Sequence, residues 1–329
     1  MLEQTFLAGT FLGEPVWMWL SFAAIVIGLL VFDLGVMHKK EHTIGIKESV
    51  LFSAFYVSIG LLFGVWIWVE LGSTKAAEYF TGFVVEESLS IDNVFVMAML
   101  FSFFHIPGKY QHRVLFWGIL GAIVLRGIMI GLGAVLVSRF EWILDVFAVF
   151  LIVTGVKMLF TKEKPSDIGH NPILTFIQSH FRVTQELHEN HFFVRLPSRK
   201  HGKNVIWLTP LFLALVMIEF ADILFAIDSV PAIFMITKDT MIVYTSNIFA
   251  ILGLRSLYFV LAAMIQRFHY LKYALAILLV FIGSKTFIAD AMAWEKFPIG
   301  WSLGITFAIL GAGIGFSLWK TQKASRSEA

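Results

Sequence analysis

Long apolar stretches separated by short polar turns fill the chain from residue 16 to residue 319. Each stretch approaches the roughly 20 residues that a helix needs to cross a bilayer. They fall at 16–37, 51–70, 79–104, 114–137, 140–160, 207–236, 241–265, 271–290 and 299–319, which predicts nine transmembrane helices in an all-α, polytopic membrane protein. The segment ahead of the first run holds Glu3 and Glu14 but no Lys or Arg, and no small-residue cleavage site follows. Span 1 is therefore expected to be retained and not removed as a secretory signal.

The polar positions between the runs orient them. Lys39, Lys40 and Lys47, then Lys109 and Arg113, then seven basic residues between 161 and 206, then Arg267 and Lys272, then Lys320, Lys323 and Arg326 occupy alternate connections. The opposite connections hold only Lys75, Arg139, Lys238 and Lys296. Because Lys and Arg concentrate in cytoplasmic loops, the N-terminus is predicted outside and the C-terminus inside. Composition agrees: 58% of residues are hydrophobic and 15% are charged, against about 25% charged in a soluble domain. A net charge of +2 without a basic run leaves no footprint for nucleic acid. With no cysteine, disulfides, Cys-ligated zinc, iron–sulfur clusters and thiol redox chemistry are excluded.

Spans 3 to 5 can be laid on spans 6 to 8. Glu86-Glu87-Ser88-Leu89-Ser90-Ile91-Asp92-Asn93 matches Asp222-Ile223-Leu224-Phe225-Ala226-Ile227-Asp228-Ser229, with an acid at each end and a hydroxyl or amide just after. Ala122 to Arg126 resembles Ala250 to Arg255 with a one-residue shift, and Thr154-Gly155-Val156-Lys157 resembles Ile282-Gly283-Ser284-Lys285. Apolar helices also align by chance, but charged anchors at three ordered places are harder to obtain that way. A unit of three spans must re-enter the membrane inverted, which is the repeat of many secondary transporters. The predicted organisation is 1–78 for spans 1 and 2, 79–160 for the first repeat, 161–206 for a cytoplasmic loop, 207–290 for the second repeat and 291–329 for span 9 and the tail.

Seven acids lie within spans: Asp33, Glu86, Glu87, Asp92, Glu219, Asp222 and Asp228. At about 2.5–3.5 kcal/mol for each charge at the bilayer centre, their retention demands a compensating role. Arg126 and Arg255 are the expected internal counter-ions, whereas Lys157 and Lys285 lie near span ends and are expected to snorkel to the interface. Asn93, Asn247, Ser88, Ser90 and Ser229 add oxygen donors. No histidine lies well inside a span, so the shell suits hard divalent ions such as Mn²⁺, Mg²⁺ or Ca²⁺ better than zinc or copper. Glu219 and Asp222 share a helix face, but Asp222 and Asp228 are about 120° apart. Pro231 is expected to kink or unwind span 6 and turn Asp228 inward. Glu87 has no evident partner in the repeat. The glycines Gly121, Gly127, Gly131 and Gly133 predict close helix packing.

The loop 161–206, with His170, His180, His188, His191 and His201, is read as solvated, with a metal-sensing role as the alternative. No nucleophile stands at usable spacing from a base in any span, so an enzyme is not expected. A non-transporting membrane scaffold for a stress-response complex, in which acids and arginines merely tie helices together, is the competing class.

Phe32-Asp33-Leu34, Glu86 to Val96, Gly121 to Arg126, Thr154 to Met158, Glu219 to Ala232, Thr245 to Arg255 and Phe281 to Lys285 together resemble the TerC family of bacterial integral membrane proteins, in its Alx-like branch. The resemblance covers nearly the whole chain. It implies Mn(II) export across the bacterial inner (plasma) membrane, with Mn(II) as substrate and no resident cofactor, and an association with tellurite resistance. It carries metal handling onto Asp33, Glu86, Asp92, Glu219, Asp222 and Asp228, with Asn93 and Ser229 as neutral ligands. Glu87 departs from a place that is often basic in the branch, and Thr286 stands where the first repeat has Met158. The partners implied are the divalent ion and the lipid bilayer, without nucleic acid. A second copy of the chain and metal-requiring membrane or secreted enzymes are left open as protein partners.

Overall fold

The computed structural model describes residues 9–33, 45–140, 142–160, 171–197, 204–262, 271–292, 294 and 297–327. Each of the nine apolar runs lies on a helix: α1 Val16–Phe32, α2 Ile46–Leu71, α3 Ser73–Phe103, α4 Gly108–Arg139, α5 Ile143–Phe160, α7 Pro210–Phe234, α8 Thr240–Ala262, α9 Leu271–Ala291 and α10 Ile299–Ser327. Six of them, α2, α4, α5, α7, α9 and α10, are long and apolar enough to cross a membrane. The shorter apolar stretches are Val16–Phe32 and Thr240–Leu254. The 31-residue α3 carries Lys75, Glu78, Glu86, Glu87 and Asp92, and these polar residues dilute an otherwise membrane-length helix.

The chain is mostly helical, and four short strands accompany the helices among the described residues. β1 (Thr10–Phe11) pairs antiparallel with β2 (Glu14–Pro15) ahead of α1, and β3 (Phe193–Pro197) pairs antiparallel with β4 (Asn204–Leu208) ahead of α7. The loop read as solvated is also folded over its described part. Asn171 caps α6 (Pro172–His180) by accepting from the Ile173 N–H at 2.9 Å. The helix then buries Leu174 and Ile177 against Leu211, Leu213 and Met217 of α7. Both strands of the hairpin alternate in exposure, the period-two pattern of a half-covered ribbon. His170 and His201 lie outside the described residues.

The bundle forms around α3, which packs along α8 and against α2 and α7, while α4 packs along α7 and α5 along α9. Aromatic and branched residues fill the seam among α1, α2, α3 and α8, with Phe22, Phe63, Tyr79, Phe83 and Phe249 at its centre. The α5–α9 crossing is the closest approach. A methyl group on Gly155 would come 2.6 Å from the Ala276 carbonyl, and one on Gly283 would come 2.5 Å from the Ala148 carbonyl. Residues 148 to 155 therefore meet 283 to 276 in descending order, and the two helices run antiparallel.

Pro231 does not unwind α7. The helix continues unbroken past Asp228 to Phe234, with Pro231 three residues from its end, so the bond lost to the Ile227 carbonyl falls in the last turn. Its own carbonyl still accepts from the Met235 N–H at 3.0 Å.

Candidate ion-handling site

Four helices converge on one guanidinium. Arg126 of α4 is fully buried and bonds the Asp222 carboxylate of α7 twice, from Nε at 3.2 Å and Nη2 at 3.1 Å. Its Nη1 donates to Glu86 Oε1 of α3 at 2.6 Å, to Ser229 Oγ of α7 at 2.8 Å and to Asn247 Oδ1 of α8 at 3.2 Å. Glu86 and Asp222 are themselves 1% and 6% exposed, so the assembly is dry. A planar fork with five donors suits such a centre, where a lysine would supply one point charge.

The remaining oxygens are under-satisfied. Glu86 Oε2, Glu87 Oε1, Glu219 Oε2 and Asn93 Oδ1 are buried and meet no donor among the described residues. Ser90 reaches Glu86 Oε1 only at 3.5 Å, and Ser88 bonds back to the Val84 carbonyl at 2.6 Å. Buried carboxylate oxygen in excess of buried donors is costly unless a proton or a cation neutralises it. Glu219 and Asp222 line a small cavity with Met97, Gly118, Ala122 and Leu254.

The structure thus gathers Glu86, Arg126, Asp222, Ser229 and Asn247, with Glu219 one turn below Asp222. It does not bring every acid there. Asp228 is half-buried, and the charge acting on it is Lys157 of α5. Asp33 is buried at the end of α1, and Asn93 is buried two turns beyond Glu86. The side chains of Asp92 and Arg255 lie outside the described residues. Among the described residues no three His, Asp or Glu side chains form a ready-made metal centre. The glycine set of α4 is also heterogeneous: Gly121 faces the Glu219 carboxylate, Gly127 the ring of Tyr244 and Gly133 that of Phe234, whereas Gly131 has open space around it.

A second polar cluster escaped the sequence reading. Lys75 pairs with Asp239 at 2.5 Å and Glu78 at 3.8 Å, and Thr237 donates to Glu78 at 2.5 Å. Asp239 also caps α8, accepting from the Met241 N–H at 3.0 Å. An Asp just ahead of an apolar run is the legible signal for such a cap. Lys285 does not snorkel: it is 7% exposed and feels the charge of Glu78. Burial of Glu14 against this cluster pushes its carboxyl above the usual range, helped by Asp239 and opposed by Lys75.

Apolar helices around a buried ionic centre define an integral, multi-pass membrane protein. Residues 71–325 match the integral membrane protein TerC family, and the chain belongs to it. A protein of Escherichia coli (strain K12) named Alx, with a provisional description as a membrane-bound redox modulator, is 44% identical over 316 residues, covering 93% of this chain and 95% of its own length. An uncharacterized membrane protein of Rickettsia felis is 48% identical over 296 residues, covering 90% of this chain and 95% of its own. Another, from Myxococcus xanthus, is 44% identical over 312 residues and 95% of either chain. No solved structure matches.

Proposed function

We propose that the protein is a secondary-type transporter that exports Mn²⁺ from the bacterial cytoplasm, with nine spans, its N-terminus outside and its C-terminus cytoplasmic. The observation that carries this reading is the surplus of buried carboxylate oxygen on α3 and α7, of which only part is neutralised by Arg126. Donors are oxygen alone, which suits a hard divalent ion. In this arrangement the guanidinium stands where a cation would stand, so an entering ion must take at least one carboxylate from Arg126. The family resemblance supplies the preference for manganese.

The inverted organisation is supported by the α5–α9 crossing. Gly155 meets Ala276 and Val280, and Gly283 meets Ala148 and Ile152. Every contact maps onto its counterpart by the same step of 128 residues (283 − 155, 276 − 148, 280 − 152). An antiparallel pair with that property has a local two-fold axis across the helices, as inverted repeats require. The pairing of α3 with α8 likewise mirrors that of α7 with α4. Movement of one unit against the other would open the centre to each side in turn.

The second reading is a non-enzymatic scaffold, favoured by the way Arg126 ties α3, α4, α7 and α8 together. With no cysteine in the chain, a redox role like the one attached to Alx would have to act through a metal or a partner. Purified protein in liposomes decides between them. The transporter reading expects saturable Mn²⁺ flux that exceeds flux of Ca²⁺, Zn²⁺ and Fe²⁺ and falls at least tenfold in Asp92→Asn and Asp228→Asn. Wild-type vesicles no more permeable to Mn²⁺ than empty ones, with the protein folded, would refute it.

A further inference from the structure

Two glutamates that the Arg126 centre does not use share one unusual setting. Glu87 of α3 lies over Gly253 of α8, where a methyl group would come 2.7 Å from Oε1. Glu219 of α7 lies over Gly121 of α4, where a methyl group would overlap the carboxylate itself. Each therefore rests on a bare patch of neighbouring backbone that only glycine provides. Each also leaves a buried carboxylate oxygen without a protein donor, Oε1 of Glu87 and Oε2 of Glu219.

The two settings resemble each other in the two matched segments. Glu87 to Glu219 and Gly121 to Gly253 are the same step of 132 residues (219 − 87 and 253 − 121). That step differs from the 136 residues that match Glu86 to Asp222 and the 128 that match Gly155 to Gly283, so the two contacts are similar settings that lie one helical turn out of the repeat register. The charged neighbour of Glu87 is Glu86, and that of Glu219 is Asp222. Each half thus pairs one acid held by Arg126 with one glutamate left open on a glycine seat. Glu87, without a counterpart when the acids are matched in sequence register, finds it in Glu219 one helical turn away.

From this geometry we infer that Glu87 and Glu219 are paired stations for the same divalent cation, one on each side of the Arg126 centre. The inference deepens the transport reading and rests on it. A bare carboxylate at this depth is neutralised by a proton or by a cation that replaces its lost hydration, and Glu86 or Asp222 beside it offers a cation a second oxygen ligand. The cavity at Glu219 leaves an approach on that side.

The test counts ions bound to the detergent-purified protein by equilibrium titration with Mn²⁺, read by electron paramagnetic resonance, alongside flux in liposomes. Glu87→Gln and Glu219→Gln should each lower the bound Mn²⁺ by about half. Gly253→Ala and Gly121→Ala, which fill the seats and keep both acids, should do the same, while Gly131→Ala should not. Bound Mn²⁺ without any flux would sink the transport reading and leave the stations standing. Folded Glu87→Gln protein that binds and moves Mn²⁺ like the wild type, while Glu219→Gln does not, would overturn the pairing.

Discussion

Replacing Arg126 by Met is the sharpest perturbation of the bundle. Met keeps the aliphatic bulk but removes the donors that reach Glu86, Asp222, Ser229 and Asn247. Breaking one buried ion pair by deleting a partner costs about 3–5 kcal/mol, mostly because the surviving charge is stranded. Here two carboxylates are stranded, and both are nearly inaccessible. Since the two share one partner, the penalties are not additive. The expected loss of roughly 3–5 kcal/mol corresponds to a fall in midpoint on the order of 10 °C. Arg126→Lys retains the charge but cannot fork onto Asp222, and it should fall between the two. The triple variant Arg126→Met, Glu86→Gln, Asp222→Asn removes the stranded charges and should recover most of the loss, because a buried triad replaced by neutral groups is often near neutral. Heating a fluorescent fusion in detergent and measuring the monodisperse fraction gives the midpoints. If the single Met variant unfolds with the wild type, or the triple variant is no better than the single, the electrostatic account of this centre is wrong.

Other perturbations probe the framework. Gly155→Ala and Gly283→Ala place a methyl 2.6 Å and 2.5 Å from opposing carbonyls, so each should cost about 1–3 kcal/mol in the same thermal assay, whereas Gly131→Ala should cost almost nothing. Glu14 binds its proton more tightly in the folded protein than in the unfolded chain. Its contribution is therefore present at low pH and lost as pH rises through its raised value. Hydrogen exchange of residues 9–15 should accelerate over that rise, and Glu14→Gln should flatten the response. Because the chain has no native cysteine, single cysteines are clean reporters. One at Lys238 should react with an impermeant maleimide from outside intact cells, and one at Lys323 only after lysis.

The apolar helices were legible because burial in lipid writes itself into residue type: uninterrupted apolar runs have few other uses. The α3 run was read through its acids, since Glu86 and Glu87 interrupt an otherwise membrane-like stretch without ending it. Hydropathy does not show the difference between acids turned toward lipid and acids turned into a bundle. Asp228 illustrates the limit. Its match to Asp92 and the nearby Pro231 suggested an acid turned inward, yet the 120° between Asp222 and Asp228 persists in an unbroken α7 and leaves Asp228 under the influence of Lys157. The folded part of 161–206 was hidden for another reason: two five-residue strands of period two are too short to stand out beside helical runs.

The same limit explains why one arginine outweighs several acids in setting the centre. Counting charges along the sequence leaves the acids in excess but does not say which of them the cation takes. A guanidinium chooses by fork geometry, and the two acids it takes, Glu86 and Asp222, are those matched to each other across the repeat. Arg126 therefore ties one acid of α3 and one of α7 to a single guanidinium. Around it α3 packs against α8 and α7 against α4. A centre of this kind is neutralised by its own arginine, and under the transport proposal an incoming ion would compete with that arginine for the same oxygens.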